Sequence, residues 1–286
     1  PEKLCSTREF RRVRDALIRM SSNVAIAAAD FRLPVIEHFN WALDWFDKIS
    51  TPDNVALCIC GHTEDTSITF QSLSRRSNQV ANWLESRGVC RGDRVFLLLG
   101  NSIPLYEIIL ACIKIGAVVI PGFLSLSKNE LRRRIQLGNI KFLLHSNSEI
   151  VASAELPITI DSYNINPTQN CFSFAQQTST FPDIYVPMQS TISTEPMFGY
   201  YTSGTTSDPK LVIHSHSSYP IGHLSSMYWN GVRPGDVHFN VSAPGWAKHT
   251  WSSFFVPWNA EATAVILEQA TPSSDMLLDI VRRKRV

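Results

Sequence analysis

The sequence predicts an α/β fold in which βαβ-rich sheets are flanked by helices. Three observations predict it. Val95-Phe96-Leu97-Leu98-Leu99 is a continuous apolar run, the mark of a strand buried on both faces. Leu73, Val80 and Leu84 repeat at helical spacing, and Gly88 closes that run. Over residues 93–145 strand-like and helix-like runs alternate, the order that builds parallel βαβ units.

In chain order, the spacing predicts helices over 9–20 and 37–49, the second with Phe39, Trp41, Ala42, Trp45 and Phe46 on one side. Residues 55–59 and 67–70 read as paired strands around a turn at 61–65. A helix over 71–87 follows, then a strand over 93–99, a helix over 103–115 ended by Gly116, and a strand over 117–121. A helix over 127–137 and a strand over 140–145 complete the series. Residues 148–195 are rich in Ser, Thr, Asn, Gln and Pro and read as a connector with one or two short strands. Met197-Phe198-Gly199-Tyr200-Tyr201 reads as a short buried strand. A helix over 215–229, a strand over 237–241, a helix over 247–258, a strand over 263–268 and a helix over 273–285 close the chain. The expected organisation is an N-terminal helical segment (1–50), a first α/β unit (51–185), and a phosphate-loop strand opening a second, truncated unit (186–286).

Apolar residues make up 44% of the 286 and charged residues 18%, ordinary for a soluble α/β chain with a sizeable core. A formal net charge of +1 argues against nucleic acid or an anionic membrane as partner. The longest apolar run, Ile108 to Val119, is interrupted by Lys114 and is too short to span a bilayer. The six cysteines form no CxxC and no zinc spacing with histidine. Cys58 and Cys60 would share one face of a strand and read as small apolar core residues. Scattered cysteines without a signal peptide point to a reducing compartment, the cytoplasm or the mitochondrial matrix. Pro1 in place of Met predicts a cut or processed start. Arg8, Arg11, Arg12, Arg14 and Arg19 alternate with Glu2, Glu9 and Asp15, which fits a solvated amphipathic helix better than a transit peptide.

The chemistry concentrates in Tyr200-Tyr201-Thr202-Ser203-Gly204-Thr205-Thr206-Ser207-Asp208-Pro209-Lys210. Glycine lets a backbone approach an anion closely, hydroxyls and N–H groups donate to phosphate oxygens, and lysine adds a point charge. The run is not a Walker A loop: no second glycine precedes Lys210, and Leu211 follows it. Alone, such a cluster also suits a polar surface turn. Its place at the end of a strand, where open α/β sheets bind ligands, favours a phosphate loop.

In a strand–loop–helix setting, residues 37–286 resemble the N-terminal part of an AMP-forming acyl-CoA synthetase of the adenylate-forming superfamily, short- and medium-chain branch. The resemblance rests on ordered motifs. Ile68-Thr69-Phe70-Gln71-Ser72-Leu73 resembles the family's "TYxEL" element, Gly92-Asp93-Arg94-Val95 its "GDRV" strand entry, and Ile115-Gly116-Ala117-Val118-Val119-Ile120-Pro121 its "GAVxxP" element. Thr202 to Lys210 resembles the "TSGTTGxPK" loop, and Ser242-Ala243-Pro244-Gly245-Trp246-Ala247-Lys248-His249 resembles the acyl-pocket segment.

The resemblance implies a two-step reaction: a carboxylate attacks the α-phosphate of ATP to give an acyl-adenylate, and the CoA thiol then displaces AMP. It implies ATP, Mg2+ and CoA as cofactors and a small carboxylic acid, fatty or aromatic, as substrate. Thr202, Ser203, Gly204, Thr205 and Thr206 would cradle the β- and γ-phosphates, with Lys210 and Thr205 closest to the chemistry. Gly245, Trp246 and His249 would line the acyl pocket, with Trp251 and Lys248 as further candidates, and no residue is assigned as a metal ligand. Val237 to Ala260 contains no Asp or Glu, which favours a plain carboxylic acid over an amino acid whose ammonium would need a countercharge.

The sequence departs from the family pattern in two ways. Ser207 stands where glycine is usual, at a cost of roughly 1–2 kcal/mol if that position needs a positive φ. The family's later "YGxTE" element and its C-terminal domain have no counterpart in the 286 residues, so a fragment with little turnover of its own is expected. Two alternatives stay open: an adenylation module of a peptide-synthetase-like assembly, and a catalytically dead module that binds or regulates.

Overall fold

The computed structural model describes residues 2–20, 25, 27, 29, 31–49, 53–61, 63–157, 160–166, 173–202, 209–268 and 272–286. Helix α1 (Glu2–Arg19) starts earlier than the spacing predicts and is not merely solvated. Phe10, Val13 and Leu17 fall on one helical face and are buried, and Phe10 packs on Phe39 and Trp45 at centroid distances of 5.3 and 4.9 Å. Arg14, also buried, pairs with Glu261 and lies 4.8 Å over the Trp45 ring.

The helix expected over 37–49 is shorter and broken. Its α-helical part is α2 (Trp41–Asp44), capped by the Asn40 side chain, and a 3₁₀ turn covers Phe46–Lys48. The residues before it cannot join because their backbone is already used: His38 bridges Ile192, and the Phe39 N–H donates to the Thr191 carbonyl.

The strands that follow are β1 (Val55–Cys60) and β2 (Asp65–Thr69), paired antiparallel as the turn signal predicts. Helix α3 (Phe70–Ser86) is capped by Thr69. The alternating series then runs as β3 (Arg94–Leu98), α4 (Ile103–Ile115), β4 (Val118–Pro121), α5 (Lys128–Leu137) and β5 (Phe142–His145). The connector holds more regular structure than its composition predicts: α6 (Ser148–Ser153), β6 (Asp161–Asn164) and α7 (Phe174–Ser179). Asn147 and Ser173 cap the two short helices, so local side-chain hydrogen bonds build what an apolar pattern does not announce.

β7 (Pro196–Thr202) is followed directly by a strand, β8 (Lys210–Ser215), and only then by α8 (Ser218–Asn230). The strand–loop–helix setting expected for the phosphate run is therefore a β-hairpin. Val212 and Ile213 favour extended backbone and pair back onto Tyr200 and Gly199. The chain ends in β9 (Val237–Phe239), α9 (Ala247–Thr250), a π-helical turn over Trp251–Phe255, α10 (Val256–Asn259), β10 (Thr263–Leu267) and α11 (Ser274–Lys284). The single helix expected over 247–258 is thus three pieces.

Two sheets result, in orders β2-β1-β10-β9 and β6-β5-β3-β4-β7-β8. β3 pairs parallel with β4 and β5, β5 with β6, and β4 with β7, as the alternation predicts. β1 and β2 join β9 and β10 in one sheet, and the hairpin β7–β8 extends the sheet begun by β3. The main core packs Trp41, Phe46, Phe254, Phe255 and Trp258 with the apolar faces of α3 and α4. Lys114, which interrupts the apolar run of α4, is fully buried, with Nζ 2.8 Å from Asp47, 2.6 Å from Asn78 and 2.9 Å from Ser77. Among the described residues no helix is long and apolar enough to cross a membrane.

Candidate functional site

β7 is pinned on both faces before it delivers the loop. Tyr200 faces the main core and its hydroxyl donates to Thr250 Oγ1, while Tyr201 faces the opposite side and donates to the Arg134 carbonyl. At Gly199 a methyl group would lie only 3.0–3.2 Å from Leu211, Ile120 and Ile213, so β4, β7 and β8 close tightly there. The hairpin register sets Thr202 opposite Lys210, and the Thr202 hydroxyl lies 3.4 Å from the Lys210 carbonyl. Ser203, Gly204, Thr205, Thr206 and Ser207 lie outside the described residues. What the structure places is the two ends of the loop, side by side at the edge of the sheet.

The acyl-pocket segment arrives from the other sheet. After β9 the chain turns through Pro244 and Gly245, the latter at φ +99, a conformation that suits glycine. A methyl there would sit 2.7 Å from the Phe123 ring. Trp246 follows, 60% exposed, and stands edge-on to Phe123 at 5.2 Å and 70°. Phe123 lies just beyond the C-terminal end of β4, the strand that pairs with β7. Arg134 adds a cation to this edge, its guanidinium 5.2 Å from the Tyr201 ring and 6.0 Å from that of Phe123.

His249 does not line this rim. Only 1% of it is exposed, and its Nε2 lies 2.8 Å from Asn101 Oδ1 and 3.2 Å from the Tyr106 hydroxyl. The Asn101 amide donates to the carbonyls of Leu267 (2.7 Å) and Ser242 (3.2 Å). That orients Oδ1 toward His249, so Nε2 carries the proton. Burial pushes the imidazole down to about 3, which keeps it neutral. After Trp246 the chain enters the core, where His249, Thr250 and Ser252 to Phe255 are all buried. Lys248 is exposed, and Trp251 is half-buried beside His223, 6.0 Å between ring centroids.

Phe123 and Asn101 were not singled out by the sequence. Each follows a buried strand by a few residues, and that position is the only signal either carried. Asn101, after β3, contacts the segment after β9 and the end of β10. Phe123, after β4, contacts Trp246. The C-terminal ends of strands from both sheets therefore converge beside the hairpin, the position at which α/β sheets bind ligands. The arrangement offers an apolar rim, a hydroxyl and an ammonium group at the ends of a polar loop.

A parallel-rich α/β fold with such a convergence is the architecture of nucleotide-using acid-activating enzymes, and the comparisons agree. Residues 48–286 match the AMP-binding enzyme family, and the chain belongs to that family. It is 29% identical over 237 residues to 4-hydroxybutyrate–CoA ligase 1 of Metallosphaera sedula, covering 80% of this chain and 41% of that protein. It is 30% identical over 255 residues to the mitochondrial acyl-coenzyme A synthetase ACSM3 of Homo sapiens, covering 83% of this chain and 43% of that protein. The chain thus spans less than half the length of these relatives. The fold is similar to an acyl-CoA synthetase of Brucella canis (TM-score 0.76, 22% identity, 94% of this chain and 50% of that one). It is also similar to the anthranilate CoA ligase AuaEII in complex with anthranoyl-AMP (TM-score 0.73, 23% identity, 90% of this chain and 49% of that one).

Proposed function

We propose that this chain is the phosphate-gripping and acyl-binding part of a ligase that converts a carboxylic acid to an acyl-adenylate with ATP and then to a CoA thioester. The observation that carries the reading is the register of the β7–β8 hairpin. It brings Thr202 and Lys210 together at the sheet edge, beside the rim formed by Phe123, Gly245 and Trp246. A carboxylate is a poor acyl donor because its charge repels nucleophiles and oxide leaves badly. Adenylation supplies a better leaving group, and such transfer needs charge neutralisation and positioning more than covalent help.

In this reading Thr202, Ser203, Gly204, Thr205 and Thr206 donate to the β- and γ-phosphates, and Lys210 neutralises charge as pyrophosphate departs. Trp246 and Phe123 cover the apolar part of a fatty or aromatic acid, and Gly245 leaves room for it. His249 acts one step back, fixing Asn101 and hence the Ser242 end of the pocket segment. Mg2+ would neutralise the phosphates when bound. The Thr202 hydroxyl, at the mouth of the loop, is a donor that fits an ion carried on the nucleotide. The pocket segment lacks acids, which favours a plain carboxylic acid over an amino acid. The resemblance to mitochondrial ACSM3 and the cysteine usage together favour the mitochondrial matrix or the cytoplasm as the place of action.

The test is pyrophosphate release by the full-length protein over a panel of short, medium and aromatic acids, with and without CoA. Release with at least one acid, and a fall of about 10²-fold in kcat/KM for Lys210→Ala, are expected. No release with any acid, or an unchanged Lys210→Ala, would refute the reading. Thioester formation only on a carrier protein would favour the adenylation module instead.

A further inference from the structure

The antiparallel register of β1 and β2 sets Cys60 opposite Asp65 and Cys58 opposite Ser67. Cross-strand partners point to the same face, and so do residues two apart. The two thiols, the carboxylate and the hydroxyl therefore share one face of the sheet. Helix α11 covers it, with Ile280, Met276 and Leu277 packed against the cysteines. Both cysteines are buried. Their sulfurs and a carboxylate oxygen of Asp65 all lie within 4.8 Å of one another. At the same point α11 supplies cations: Lys284 Nζ is 2.7 Å from Asp65 Oδ2, and Arg283 Nη1 is 2.5 Å from the same oxygen.

We propose that Cys58, Cys60 and Asp65 form a binding site for a thiophilic d¹⁰ divalent cation of the Zn2+ type, and that Lys284 fills in for the ion until it arrives. A donor set of two sulfurs and one carboxylate selects such ions, because Mg2+ and Ca2+ take oxygen ligands. Around a tetrahedral Zn2+, with Zn–S of about 2.3 Å and Zn–O of about 2.0–2.2 Å, neighbouring donors stand roughly 3.4–3.8 Å apart. The donors of the cluster all lie within 4.8 Å of one another, so side-chain adjustments of at most about 1.4 Å bring them to that spacing. The fourth position would be taken by water or the Ser67 hydroxyl.

Charge explains the lysine. A partly buried carboxylate beside two thiols gains from a compensating cation, and here Lys284 and Arg283 supply it. On metal entry the two S–H bonds break, two protons leave to solvent, and two sulfur–metal bonds form. The local charge is unchanged, since two positive charges enter as two protons leave, but the ion takes the place on Asp65 that Lys284 Nζ held. The Lys284 side chain is at the end of α11 and partly exposed, so it can turn outward. Arg283 also bridges to Asp279, and by holding Asp65 Oδ2 it leaves Oδ1 for the ion.

The experiment titrates the reduced 286-residue chain with Cd2+, reading the thiolate-to-metal charge-transfer band, and with Zn2+ against a chromophoric chelator. One ion per chain is expected, with affinity at least about tenfold lower in Cys58→Ser and in Cys60→Ser, and unchanged in Cys90→Ser. Lys284→Met should tighten binding by roughly tenfold, because it removes the competing ammonium. That variant changes only a partly exposed side chain at a helix end, so it decides the matter even if the serine variants fail to fold. Absence of the band, a band untouched by both serine substitutions, or binding that Lys284→Met leaves unchanged or weakens would each overturn the proposal.

Discussion

His249 Nε2 lies 2.8 Å from Asn101 Oδ1, and through that contact the turn after β3 holds the segment after β9. Asn101 is buried and spends its amide on two carbonyls from the other sheet. It is a polar clasp between the sheets at the place where their strand ends meet.

Asn101→Ala removes three hydrogen bonds and leaves two carbonyls and an imidazole N–H without their partner. At about 1 kcal/mol per bond, with a further penalty for the stranded groups, the expected loss is about 2–4 kcal/mol. Urea unfolding of the chain measures it. A change below about 1 kcal/mol would mean that water replaces the amide and that the clasp is not structural.

Much of this architecture was legible in the sequence. The buried strands β3, β4, β5 and β10 are continuous apolar runs, and Gly116 marks a helix end in the position it occupies. β8 was not legible because it is a short edge strand: its apolar run is only Leu211-Val212-Ile213, and Val212 and Ile213 are exposed, so no buried pattern marks it. The π-helical turn at Trp251–Phe255 was hidden because five residues are too few to show a period different from that of the flanking helices. Trp246 was legible through its proline and glycine neighbours, but its partner Phe123 was not, since a contact between two sheets leaves no local trace.

Trp246→Ala separates binding from folding. The side chain is mostly exposed, so stability should change by less than about 1.5 kcal/mol, the upper worth of one edge-to-face pair. In the full-length enzyme KM for the preferred acid should rise about tenfold or more, which is 1.4 kcal/mol of lost contact. Thermal unfolding and initial rates measure the two quantities. A large loss of stability with unchanged KM would make Trp246 a packing residue only.

Gly245→Ala should behave in the opposite sense. It imposes a positive φ on a residue with a Cβ, at roughly 1–2 kcal/mol, and drives a methyl against the Phe123 ring. Phe123→Ala in the same chain should recover part of the loss by removing the obstacle. Unfolding midpoints of the two single variants and the double variant form the cycle, and strict additivity would rule out the contact.

Acid should unfold the chain through its buried histidines. Burial pushes His216 and His249 down to about 3 and His223 down to about 4. In the unfolded chain all three return to about 6.5. Below that value the unfolded state takes up protons that the folded state refuses, so stability is full above pH 6.5 and falls as pH falls. Once pH is well under 6.5, each histidine removes about 1.4 kcal/mol per pH unit, and the three together about 4 kcal/mol per unit down to about pH 4. His216 offers a clean control, because both its ring nitrogens are buried without a hydrogen-bond partner among the described residues. His216→Leu sacrifices no polar contact and should match or exceed the wild type at pH 7, while its stability falls less steeply between pH 5.5 and 4.5, by about 1.4 kcal/mol per pH unit. Urea unfolding across that range gives both slopes. Equal slopes would show that His216 takes up its proton in the folded state.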